Sequence, residues 1–293
     1  MDRDMTLFNC YDRAGLDREY DNRAKVANSA EISARWEAAS ADVRKQFSAD
    51  LDQPYGDHPR QCVDVFPAGK RDGPVLIFIH GGYWHMRDKS IAHFLAPTFI
   101  AADINFVSVG YRLCPEVTVA DIADDIRAAI VWVKDNIGRF GGNPGRLYLA
   151  GHSAGGHLSA LMGGPAGLQA GTLKGICSVS GLHDLEPIRL CYLNDVLSLS
   201  EKDAAALSPI RLVRETADAG MRLPPHLLTV GSLEGPEYLR QRDELAGALR
   251  EKRQPVERIE LPDREHVTAH AAFGDPHHPL CLAMLRLILA PSF

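Results

Sequence analysis

A serine flanked by glycines carries the sharpest chemical signal in the chain: Gly151-His152-Ser153-Ala154-Gly155 directly follows the apolar run 147–150 and opens a helix-forming stretch. A strand-to-helix turn this tight strains the backbone at Ser153, while its small neighbours let the chains approach and the hydroxyl project from the sheet's edge. Such a hydroxyl can attack a carbonyl. The attack creates an oxyanion, and a second glycine pattern, His80-Gly81-Gly82-Tyr83-Trp84, follows another apolar run at 75–79. The N–H groups of Gly81 or Gly82, joined by that of Ala154, are expected to face that oxygen, and losing one such donor costs roughly a hundredfold in rate. Either motif alone is also what an ordinary glycine turn beside a strand would give. Together they predict acyl transfer.

These turns need a frame to hold them. From 28 to about 47, Ile32, Trp36, Ala39, Val43 and Phe47 recur at helical spacing behind a capping pair, Asn28 and Glu31, and are expected to be core. Residues 62–68 alternate like a half-buried strand, and 75–79 reads as a buried central strand after the turn Asp72-Gly73-Pro74. Further strands are expected at 104–109, 147–150, 173–179, 226–230 and 256–261. Helices are expected from about 119, capped by Thr118, and near 154–162, 236–252 and 280–289. Strand alternating with helix predicts an α/β fold with an open, doubly wound, mostly parallel sheet. Two stretches break the rhythm, 1–60 and 182–223, and both are expected to be helical cap segments of a single domain over 1–293.

The motifs HGGYW and GHSAGG resemble those of the hormone-sensitive-lipase-like branch of the α/β-hydrolases, and the likeness spans most of the chain. Within that branch the kynurenine formamidase (arylformamidase) group is more closely similar. The likeness lies in LDREYDNR at 16–23, in Asp88-Lys89 after HGGYW, and in Glu234-Gly235-Pro236-Glu237. The resemblance implies a Ser-acid-His triad at strand ends, in that chain order. It points to Glu234, in the loop after the strand at 226–230, as the acid, although the group more often has aspartate there; Glu237 and Asp184 are the alternatives. The first histidine after the last strand, His266, is then the base, with His270, His277 and His278 nearby. It also implies an aryl formamide such as N-formylkynurenine as substrate, with small esters or carbamates as rivals and Tyr83 and Trp84 as an aromatic wall or merely packing under the cap. Tyr20 falls in a segment near the pocket. His80 is expected to stabilise its loop, and His152 is left without a role.

At 293 residues, with 45% hydrophobic and 24% charged residues, the chain is expected to fold around a large core. A net charge of -6 gives phosphate backbones nothing to neutralise, so nucleic acid is excluded as a partner. The partner expected is a small-molecule amide or ester, and the sequence also admits a homodimer. Met1–Tyr20 lacks a secretory core and no stretch approaches a membrane span, so a cytoplasmic, membrane-free protein is expected. Cysteines at 10, 62, 114, 177, 191 and 281 form no paired motif and are expected to be reduced and structural. No cofactor is required. A metal is not expected, because His266 and His270 stand four apart without a third ligand. A catalytically silent ligand-binding hydrolase fold is the competing reading from another class. A nucleotide-binding enzyme ranks below it, for want of a Gly-x-Gly-x-x-Gly or Gly-Lys-Ser/Thr loop.

Overall fold

The structure, a computed structural model, describes residues 6–217 and 221–290. The first five residues of the expected 1–60 segment, and 218–220 of the expected insertion, lie outside the described residues. Eight strands form one sheet: β1 (Asp50–Pro54), β2 (Cys62–Phe66), β3 (Gly73–Ile79), β4 (Asn105–Val109), β5 (Gly142–His152), β6 (Leu173–Val179), β7 (His226–Gly231) and β8 (Val256–Leu261). Their order is β1-β2-β4-β3-β5-β6-β7-β8, parallel from β4 to β8 and antiparallel at the β1-β2-β4 edge. The six helices of eight residues or more are α1 (Arg13–Tyr20), α2 (Ser29–Gln46), α3 (Val119–Asn136), α4 (Ala154–Gly163), α5 (Pro236–Glu251) and α6 (Pro279–Leu289).

Alternation along the central strands splits the core between the two faces, since successive side chains point to opposite sides. Val75, Ile77 and Ile79 of β3 join α3, α4 and α5 in one apolar cluster, while Leu76 and Phe78 join α6 in the other. Thr118 and Asp121 form a reciprocal capping box at the start of α3. Asn28 occupies the cap position of α2 but makes no side-chain capping bond, so the expected pairing with Glu31 is absent. A small third cluster, Val26, Ile32, Trp36 and Val267, seats α2 on the loop after β8. Within α2 it is Ser40 that is buried rather than Ala39; its hydroxyl donates to the Ile91 carbonyl and accepts from Phe94 N–H.

Two local expectations differ from the structure. The end of the 1–60 segment is not helical: β1 pairs with β2 through an irregular register between Asp50 and Gln53. Partly for that reason β2 is buried along its length rather than half-buried. Its Asp64 accepts the Asp52 N–H and lies 3.2 Å from the Lys89 ammonium. Between β6 and β7 stand four short helices, Glu186–Arg189, Asn194–Leu197, Glu201–Ala206 and Pro209–Glu215. Among the described residues no helix is long and apolar enough to cross a membrane. All six cysteines are free, and Cys10 is exposed.

Candidate active site

Ser153 stands at the junction of β5 and α4 with φ 58° and ψ −120°, a conformation that a side-chain-bearing residue holds only when its surroundings impose it. Those surroundings are glycines pressed onto backbone. A Cβ on Gly155 would collide with the Ile79 carbonyl of β3, and one on Gly151 would collide with the Gly155 carbonyl. The Ser153 N–H donates to the Val179 carbonyl at 2.8 Å, which ties the turn to β6.

The loops after β7 and β8 meet the serine. Ser153 Oγ lies 2.9 Å from His266 Nε2, and His266 Nδ1 lies 2.6 Å from Glu234 Oε2. With the hydroxyl donating to Nε2 and Nδ1–H donating to the carboxylate, one proton inventory satisfies all three groups. The other oxygen of Glu234 accepts from the Ser180 hydroxyl at 2.6 Å and from Gly231 N–H at 2.5 Å. Three further bonds lace the two loops together: Ser232 N–H to Leu261 O, Leu233 N–H to Arg264 O, and Asp263 N–H to Ser232 Oγ. The cap of α5 is Gly235 at φ 117°, so Glu234 is not spent on the helix.

The alternative acids are engaged elsewhere. Glu237 and Asp184 both pair with Arg240, at 2.7 and 3.1 Å. His270 is buried and stacks on His152, with centroids 4.5 Å apart; His278 accepts the Leu280 N–H and His277 is exposed. His80 Nδ1 donates to the Gly81 carbonyl while its ring stacks on Tyr111, and burial pushes its pKa down to about 4, so it holds the loop as a neutral ring. His152, for which the sequence gave no assignment, is neutral for the same reason, its pKa driven well below the usual value; its Nε2 donates to the carbonyl of His266 at 2.9 Å. It therefore fixes the backbone of the residue whose ring meets Ser153. Position alone could not have revealed this, because the bond spans 113 residues of chain to a carbonyl.

A cavity of about 370 Å³ opens above the serine, lined by Gly81, Gly82, Ser153 and His266 below and by parts of 22–37 above. Gly81 packs against Ser153, and a Cβ there would lie 3.0 Å from the serine Cβ. Among the described residues no hydrogen bond is drawn from the N–H groups of Gly81, Gly82 or Ala154. Tyr83 lines the cavity, but its hydroxyl donates to the Tyr20 carbonyl at 2.7 Å and joins Asn22 and Tyr238. Trp84 does not line it. Its ring is fully buried edge-on to His157, so the aromatic wall expected from Trp84 comes instead from Trp36 of α2. Trp36 was expected to be simple core, and Asn22, Arg23, Ser33 and Arg87 carry no motif that marks them. The insertion between β6 and β7 contributes no lining residue; Tyr192 and Asp195 instead bond to Asp17 and Arg13 of α1.

Among the described residues no group of three or more His, Cys, Asp or Glu could hold a metal ion. The arrangement can take the hydroxyl proton onto an imidazole that a buried carboxylate steadies.

A family model described as BD-FAE matches residues 64–184. The chain is 29% identical over 245 residues to the kynurenine formamidase of Danio rerio, covering 81% of each. It is 30% identical over 200 residues to an isoprenylcysteine alpha-carbonyl methylesterase of Arabidopsis thaliana, covering 61% of this chain and 47% of that protein. A crystal structure of a Silicibacter protein described as a candidate thioesterase superposes with a TM-score of 0.81 at 27% identity, covering 94% of this chain and 99% of that one. With the sheet order and the serine turn, these likenesses make the chain an α/β-hydrolase related to the arylformamidases, a hydrolase of the formamidase and esterase type.

Proposed function

We propose that the chain is a serine hydrolase acting on aryl formamides such as N-formylkynurenine, with Ser153 as nucleophile, His266 as base and Glu234 as the orienting acid. The supporting observation is the unbroken hydrogen-bond relay from Ser153 through His266 to Glu234 beneath the cavity. His266 takes the Ser153 proton as Oγ attacks the formyl carbon, and Glu234 steadies the imidazolium. The N–H groups of Gly81, Gly82 and Ala154 hold the oxyanion. Collapse expels the arylamine, which leaves with the proton from His266, and water then releases formate by the same route. The chemistry uses no cofactor. The N-terminal segment serves as a roof that shapes the leaving-group pocket, and the insertion at 182–223 serves as its buttress.

Hydrolysis of small esters is the second reading, favoured by the methylesterase likeness. Fluorophosphonate labelling followed by peptide mapping is expected to mark Ser153. Turnover of N-formylkynurenine is then to be compared with that of short p-nitrophenyl esters. Turnover of the esters alone would remove the formamidase assignment, and failure of Ser153 to label would remove serine catalysis.

A further inference from the structure

The cavity above Ser153 carries more positive charge than deformylation requires. Arg87 and Arg23 both line it. The Arg87 guanidinium lies over the Trp36 ring, 5.9 Å from its centroid, and Nη2 donates to Ser33 Oγ at 3.3 Å. Arg23 reaches the Met86 sulfur at 3.0 Å. Among the described residues neither arginine has a carboxylate within ion-pair distance, although Glu37 lines the same cavity from the exposed face of α2. Burial first, and then the like charge of Arg23, lowers the Arg87 pKa. Two guanidinium groups kept together without a counter-ion are costly, and an incoming anion relieves that cost. The fork of an arginine matches a carboxylate in particular.

Resting on the serine-hydrolase reading above, we propose that Arg87 and Arg23 form a carboxylate subsite. The substrate is then an aryl amide or ester whose non-acyl part bears a carboxylate, with its ring against Trp36 and its charge on the arginines. Neutral aryl substrates fit the same space but leave the two cations unmatched. The arginines act as specificity determinants and take no part in bond making.

The test uses an ester pair, so that it does not depend on amide turnover: 4-acetoxybenzoate and its neutral counterpart 4-acetoxybenzamide. The wild-type enzyme is expected to favour the benzoate by about tenfold or more in kcat/KM, through KM, as a charge-assisted bond implies. That ratio should fall towards one in Arg87→Met and in Arg23→Met and recover in part in Arg87→Lys. It should also shrink as salt is raised. No preference in the wild type, or a ratio unchanged in both methionine variants, overturns the subsite. If Arg87→Met fails to fold, the more exposed Arg23→Met and the salt series still decide. An enzyme that prefers the benzoate but ignores formanilides would refute the formamidase reading and leave the subsite standing.

Discussion

The floor of the cavity, where Ser153 stands, is held by backbone pressed on backbone, whereas its roof over 22–37 is held by side-chain amides and hydroxyls. On the floor, Gly151 and Gly155 leave no room for a methyl group, and the serine turn is bonded to β6. In the roof, Asn22 Nδ2 donates to the hydroxyls of Tyr83 and Tyr238 at 2.6 and 2.7 Å, and the Lys25 ammonium bonds the Glu234 carbonyl at 3.1 Å. Backbone packing resists change steeply, because overlap cannot be relieved without moving whole strands. Single hydrogen bonds are worth about 1 kcal/mol each and can be lost one at a time. Chemistry is thus fixed by the floor, and selectivity is left to the part of the protein that can vary cheaply.

Substitutions should expose the contrast most strongly at the relay. Ser153→Ala and His266→Ala are each expected to lower kcat by about a thousandfold or more with the fold retained, and the double variant to lose little beyond either, as steady-state rates and circular dichroism would show. Glu234→Gln should cost about a hundredfold, because a neutral amide no longer stabilises the imidazolium. Full activity in that variant would return Asp184 and Glu237 to consideration. Gly155→Ala should destabilise by about 3 kcal/mol, read as a drop in Tm, since its methyl meets the Ile79 carbonyl of a central strand.

Acid should also attack the floor first. Burial holds His80, His157 and His226 neutral down to about 4 and His183 down to about 3. In the unfolded chain such rings take up protons near the ordinary value of about 6.5. The unfolded state therefore binds more protons as pH falls below that value. Stability is full above it and is lost on acidification by about 1.4 kcal/mol per pH unit for each histidine. Thermal melts from pH 7 to 5 should show the decline, and a flat profile would contradict neutral burial. The smallest effect is expected in the roof: Tyr238→Phe removes one hydroxyl from the Asn22–Tyr83 network and should cost about 1 kcal/mol in stability, with KM more affected than kcat.

The same contrast explains which features the sequence displays. HGGYW and GHSAGG are readable because a close backbone approach admits only small residues, and that demand shows at adjacent positions. The parallel strands are readable from their unbroken apolar runs. Strand β1, DLDQP, is mostly exposed and attaches by backbone pairing with a register irregularity, so no alternation announces it. Trp36 satisfies a helical apolar pattern whether it fills a core or faces a cavity, and only the seat of α2 decides between them. Trp84, two residues from Gly82, turns away because positive φ values at Tyr83 and Trp84 redirect the chain into the interior. Arg87 and Asn22 gain their meaning from partners distant in the chain, which local spacing cannot encode.

Asn22 and Glu19 reach across more than two hundred residues, to Tyr238 and to the Glu237 N–H. The segment made first by the ribosome thus waits for some of the last residues made before it can settle. Loop closure over that distance is slow compared with local helix formation. A nascent chain released before α5 would have its serine motif in place but no acid loop and nowhere to dock its leading end, so hydrolysis begins only when synthesis is nearly complete.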